Sequence, residues 1–170
     1  YYMKEGGFSN LKPLPDAVKE KVILQANEMI SDHVGRDGHV EMELMESKAS
    51  SGDISSQSIW GIFSFNQQAW WKEAEIGSTA EFAFISEYEG TYPMAIRLTR
   101  ADDYSQIRVS YNGKVCLDCF DGYNDKIDIQ RMDLGPQFLK KGKNIITVEM
   151  LGKNPSAKGE KQMCGLDCVT

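Results

Sequence analysis

The run Ile107-Arg108-Val109-Ser110-Tyr111-Asn112-Gly113-Lys114-Val115-Cys116-Leu117-Asp118-Cys119-Phe120 decides the fold class. Ile107, Val109 and Tyr111 alternate with polar residues, the period of a strand with one buried face. The run then meets Asn112-Gly113, the strongest short hairpin signal. Val115 to Phe120 is the returning strand.

Working outward, the flanking sequence repeats the pattern. His39 to Met45 alternates, with Val40, Met42 and Leu44 on one face and Glu41 and Glu43 on the other. Thr79 to Ser86 follows a turn around Gly77, with Phe82 and Phe84 on a shared face. Tyr92, Met94, Ile96 and Leu98 keep a period of two after the Glu89-Gly90 turn. Ile146, Val148 and Met150 alternate after Lys140-Lys141-Gly142-Lys143, and Cys164, Leu166 and Cys168 close the chain alike. Ser50-Ser51-Gly52-Asp53 and its neighbours read as an ordinary loop. Short strands, frequent turns and almost no helix after residue 37 predict an all-β fold, an antiparallel β-sandwich of the jelly-roll kind.

The chain divides near residue 36. Leu11-Lys12-Pro13-Leu14-Pro15 is an extended segment, and Asp16 caps a predicted helix over about 17–31 with Val18, Val22, Ala26, Met29 and Ile30 near one face. One helix cannot bury such a stripe alone, so it packs on the following domain or on something beyond this chain. Residues 1–36 are expected to be a linker, the tail of a preceding domain, and 37–170 the sandwich module.

With 170 residues and 41% hydrophobic content, the chain suits one domain with a real core plus a tail. A net charge of −6 and a pI near 5.0 repel a phosphate backbone, and no basic stripe offsets this. Nucleic acid is therefore not an expected partner. No apolar run approaches the roughly 18 residues that span a bilayer. Tyr1-Tyr2-Met3-Lys4 is neither an initiator methionine nor the start of a signal peptide, so a mature product or an excised fragment is expected.

Cys116, Cys119, Cys164 and Cys168 superficially suggest a zinc site. Both pairs lie in predicted strands, however. Residues three apart face opposite ways, and residues four apart are roughly 13 Å distant, too far for one tetrahedral metal or a disulfide. Core thiols are the first reading. A disulfide between the two segments and a zinc site stay open as alternatives.

The three tryptophans fall within twelve positions, alongside Phe63 and Phe65. Trp70 and Trp71 are adjacent, so in a strand one ring faces the core and the other does not. An outward indole suits stacking on the apolar C–H face of a sugar ring; the alternative buries both, one under a loop. Asp121-Gly122-Tyr123-Asn124-Asp125 is either a rim that reads sugar hydroxyls or an ordinary Asx-rich turn, and it lacks EF-hand spacing. With only His33 and His39 and no Gly-x-Ser-x-Gly, a hydrolytic triad has little to build on. No carboxylate pair stands out as acid and base, although such pairs are chosen in space and not in sequence.

Several stretches together resemble a bacterial β-sandwich module: Val40-Glu41-Met42-Glu43, Gln67 to Ala74 with Gly77 after it, Leu98 to Tyr104, Cys119 to Asn124, Leu151 to Pro155 and Gly165-Leu166-Asp167. Such modules occur at the C-terminal end of proteins related to glycoside hydrolase family 172, and the resemblance covers roughly 38–169. More distantly, the chain is similar to calcium-containing carbohydrate-binding modules with a galactose-binding-like jelly roll. There, glutamates of the opening strand and a late aspartate ligate a structural Ca2+. The resemblance places Glu41, Glu43 and Asp167 at those positions, while Met42 and Cys168 depart from the pattern. The alternative is that the two glutamates simply face solvent.

These readings lead to a non-catalytic accessory module of a carbohydrate-active enzyme, secreted or periplasmic. It would engage an oligo- or polysaccharide through Trp71, Tyr104, Tyr123, Asn124 and Asn154, with Trp60 as a further candidate. Two alternatives remain: a structural domain that packs on a preceding catalytic domain or subunit, and a small glycoside hydrolase in its own right.

Overall fold

The structure is a computed structural model that describes residues 39–170. The helix expected over about 17–31 and the extended segment before it lie outside the described residues. In chain order the strands are β1 (Val40–Glu41), β2 (Glu46–Ala49), β3 (Asp53–Ser58), β4 (Gln67–Ala74), β5 (Thr79–Ser86), β6 (Gly90–Arg100), β7 (Gln106–Tyr111), β8 (Lys114–Asp121), β9 (Asp128–Leu139), β10 (Gly142–Gly152) and β11 (Gln162–Val169). They form two antiparallel sheets. One has the order β3-β4-β11-β6-β9, with β1 also pairing on β11, and the other the order β2-β5-β10-β7-β8.

The hairpin that decided the fold class forms as its sequence requires. Tyr111 pairs with Lys114, and Asn112 and Gly113 take φ of 47° and 84°. Its alternating residues Ile107, Val109 and Tyr111 are buried and meet Phe82, Ile146, Val148 and Met150 of the same sheet. Across the sandwich Trp71, Ile96, Leu98 and Leu166 complete the core, as expected where the inner faces of two sheets supply alternate residues.

Three local expectations are corrected. The predicted strand over 39–45 is interrupted by a one-turn 3-10 helix, Met42–Leu44, where the chain leaves β11 and crosses to the other sheet. Met42 turns fully inward while Leu44 is exposed, so the two do not share a face. Ser50-Ser51-Gly52-Asp53 is the tight connection between β2 and β3, and Asp53 already pairs with Lys72 of β4. Tyr92 is exposed although Met94, Ile96 and Leu98 are buried, because the whole start of β6, Thr91 to Pro93, runs out past the core.

The register separates two ends. Arg100 pairs with Asp128, Gln106 with both Asp121 and Gly152, and Gln162 with Ala74. The β6–β7, β8–β9 and β10–β11 loops therefore gather at one end. Antiparallel pairing sends the β3–β4 loop, the entry at His39 and the start of β6 to the other. Trp60, Phe65, Tyr88, Tyr92 and Phe138 lie exposed at that second end.

Candidate functional site

At the polar end, loops far apart in sequence are tied together. Asn154 Nδ2 donates to Asp121 Oδ2 at 2.6 Å, and Lys158 Nζ to Asp102 Oδ2 at 2.6 Å. The Asn124 and Lys158 N–H groups donate to the carbonyls of Ala101 and Asp102. Gly122 carries no Cβ because one would collide with the Ser105 carbonyl, which lets the loops close. The half-buried Tyr123 donates its hydroxyl to Asp125 Oδ1 at 2.5 Å, and that bond raises the phenol's pKa. Of the sequence candidates, the structure thus brings Tyr123, Asn124 and Asn154 together.

It does not bring Trp60 there: Trp60 is 89% exposed, but on the β3–β4 loop at the opposite end. Trp71 and Tyr104 are corrections. Trp71 is completely buried, and its Nε1 donates to the Ser51 carbonyl at 2.9 Å, so it has no free face. Its register partners Ile54 and Cys164 also point inward. Trp70 is the outward ring of the pair, with Lys72 Nζ 4.9 Å from its centroid. The signal was present in sequence: Gln68 and Lys72, two positions either side of Trp70, are polar, whereas Ala69 shares the face of Trp71. Tyr104 is 5% exposed, its hydroxyl donating to Gln57 and accepting from the fully buried Gln68.

A second group forms on the outer face of the first sheet, near the apolar end. Between Leu166 and Val169, β11 carries one residue more than β6, so Asp167 and Cys168 both lie opposite Arg97. This bulge breaks the alternation: Cys164, Leu166 and Val169 enter the core cluster and Cys168 does not. Glu41 pairs across from Cys168, so their side chains share a face. Glu41 Oε1 accepts from Ser64 Oγ at 2.6 Å and from His39 Nε2 at 2.5 Å. Asp167 Oδ1 accepts the Ser64 N–H at 2.7 Å, and Arg97 Nε lies 3.2 Å from Oδ2.

Ser64, His39 and Glu41 do not make a hydrolytic triad. Ser64 and Glu41 both meet the same imidazole nitrogen, Nε2, whereas a relay needs one partner on each nitrogen.

The electrostatics of this group are strained. Burial pushes the Glu43 carboxyl up to about 7, and the charges of Glu41 and Asp167 push the same way. Burial also raises Asp167, against the pull of the Ser64 N–H and Arg97. Glu41 Oε2 and Glu43 Oε2 are buried without a hydrogen-bond partner among the described residues. Of the expected metal ligands, Glu41 and Asp167 are joined through Ser64, and Glu43 feels the charge of both; His39 and Cys168 approach Glu41, a grouping that the sequence did not reveal.

All four cysteines are free thiols. Cys164 and Cys168 are buried, but Cys119 is exposed and is no core thiol. β8 and β11 lie in different sheets, so the pairs do not join in one zinc site.

No protein-family model and no curated protein matches this chain. Among solved structures it is similar to a xanthan lyase from Paenibacillus, 18% identical over 80% of this chain and 13% of that one, with a TM-score of 0.68. The GH26-CBM35 β-(1,4)-mannanase of Podospora anserina is 15% identical over 77% of this chain and 26% of that one, at 0.52. A family 35 carbohydrate-binding module from Clostridium thermocellum is 18% identical over 78% and 96%, at 0.48. The chain spans 13% of the length of the lyase and 26% of that of the mannanase. The likeness to the lyase and the mannanase shows the fold alone, an antiparallel β-sandwich.

Proposed function

We propose that this chain is a non-catalytic accessory module of a carbohydrate-active enzyme, of the family 172 kind that its sequence resembles, and that it binds an oligo- or polysaccharide at the polar end. The convergence of three loops there carries the reading. A sugar ring offers an apolar face and a rim of hydroxyls; the Tyr123 ring suits the first, and Asn124, Asn154, Asp102 and Lys158 suit the second. Glu41 and Asp167, by contrast, are buried out of reach of a glycosidic bond. Such a module works where its glycan is, outside the cell or in a periplasm.

Affinity electrophoresis against a polysaccharide panel tests this. Tyr123→Ala and Asn154→Ala should each weaken retention at least tenfold while the circular dichroism spectrum of the folded sandwich is kept. Full retention in both, with loss in Trp60→Ala, would move the glycan site to the opposite end and overturn the assignment.

Glu41, Glu43 and Asp167 are proposed to hold a structural Ca2+. Hard oxygen donors suit that ion, and the two buried, unpartnered carboxylate oxygens support the fit. When bound, the ion supplies the positive charge that buried carboxylates need. Ser64 then braces the β3–β4 loop on the same carboxylates. A Ca2+ concentration of 100 times Kd should stabilise the fold by about 2.7 kcal/mol; an unchanged melting temperature at millimolar Ca2+ would end this reading.

A second reading, that the module packs on a neighbouring domain, is favoured by Trp60, Phe65, Tyr92 and Phe138 lying exposed at the end where the described chain begins. Phe138→Glu should then destabilise the module only when the preceding polypeptide is present, as differential scanning calorimetry would read.

A further inference from the structure

We propose that His39, Glu41 and Cys168 form a second, borderline-metal site beside the calcium ligands, one that takes Zn2+ or a similar transition ion and shares Glu41 with the calcium site. One ligand atom from each residue, an imidazole nitrogen, a carboxylate oxygen and Sγ, lies within 4.8 Å of the other two. The set is not a chance surface cluster. Cys168 is fully buried, and Glu41 is 6% exposed with Oε2 lacking a partner among the described residues. The backbone explains the placement: Glu41 pairs directly with Cys168, His39 stands two positions before Glu41 with its ring on that carboxylate, and the bulge turns Cys168 out of the core.

The donor chemistry separates this site from its neighbour. Nitrogen and thiolate ligands at about 2.0–2.3 Å suit Zn2+ and its relatives, whereas Ca2+ takes oxygen donors at about 2.3–2.6 Å. Donor atoms around a tetrahedral ion stand roughly 3.3–3.8 Å apart, so small side-chain rotations close the three around it. Asp167 Oδ2, 3.9 Å from Cys168 Sγ, is within reach as a fourth ligand. On binding, the Cys168 thiol gives its proton to solvent as the metal–sulfur bond forms, and His39 Nε2 exchanges its contacts with Glu41 and Ser64 for the ion. Because Glu41 serves both sites and Asp167 borders both, Zn2+ and Ca2+ compete for the same carboxylates. Arg97, held by Asp167, limits the net negative charge that either ion meets.

The test uses the full chain, stripped with EDTA and titrated with Co2+, Zn2+ and Ca2+ separately. Co2+ should raise a thiolate-to-metal charge-transfer band that Zn2+ abolishes by displacement, and Zn2+ should raise the melting temperature. Cys168→Ser should remove the band and weaken Zn2+ at least tenfold while leaving the Ca2+ response in place; Glu43→Gln should do the reverse. His39→Ala, at a side chain 29% exposed, guards against misfolding of the buried variant and should weaken Zn2+ equally. A wild-type chain with no Co2+ band and no Zn2+ shift overturns the proposal, as does a band that survives in Cys168→Ser. Loss of the Ca2+ response alone overturns only the calcium site.

Discussion

Trp70→Ala and Trp71→Ala remove the same side chain at adjacent positions, and the two faces of β4 make their consequences unequal. Trp71 is wholly enclosed between the sheets. Its removal forfeits about 3–5 kcal/mol of core packing, and the Ser51 carbonyl loses a donor worth about 1 kcal/mol. Trp70 faces outward with Lys72 above its ring, a contact worth about 0.5–1 kcal/mol, and its half-buried ring adds about another 1 kcal/mol. Urea unfolding followed by circular dichroism reads the difference. With a slope of about 2 kcal/mol per molar, Trp71→Ala should lower the midpoint by about 2–3 M and Trp70→Ala by about 1 M or less. Equal shifts, or the larger one in Trp70→Ala, would refute the assignment of faces.

Three further perturbations follow from the same reasoning. Asn144, fully buried, accepts from the Tyr111 hydroxyl, Asn112 Nδ2 and the Lys140 N–H and donates to the Lys140 and Gly142 carbonyls; Asn144→Leu should cost about 3 kcal/mol in chemical denaturation, and a loss below about 1 kcal/mol would contradict its role as the anchor of the β9–β10 turn. Gly165→Ala drives a methyl into the Gln68 amide and disturbs its bond from Thr99, so a loss of about 1–3 kcal/mol is expected, with Gln68→Ala in the same chain recovering part of it. Of the four thiols, Cys119 should react rapidly with a thiol reagent under native conditions, Cys116 slowly and Cys164 and Cys168 only on unfolding; fast labelling of Cys164 would show that β11 does not hold its place.

Much of the sandwich was legible because its inner strands bury one face. Ile107 to Tyr111, Met94 to Leu98 and Ile146 to Met150 alternate, and the Asn112-Gly113 turn fixes a register. β2 and β3 were missed because they are edge-side strands with few apolar residues, Glu46 to Ala49 and Asp53 to Ser58, so hydrophobic period carries no signal there. β9 escaped for the same reason, and Gly135-Pro136 within it reads as a break; proline is tolerated because β9 is an edge. Glu41, Glu43 and Asp167 were reached through resemblance alone. Their neighbours His39, Ser64 and Cys168 depend on a bulge and on the β3–β4 loop reaching β1 and β11, which no local pattern announces.

The place of β11 has a consequence for how this polypeptide acquires its structure. The last of the described strands in chain order is a central one, between β4 and β6. Until it is delivered, the first sheet exists as two halves with open edges, and synthesis must run almost to Val169 before they can join. Pairings this distant in sequence close slowly, on the order of milliseconds to seconds. During that interval β4 and β6 offer unsatisfied strands to any chain nearby. Truncation within 162–169 should therefore yield insoluble aggregates in place of a slightly weakened domain.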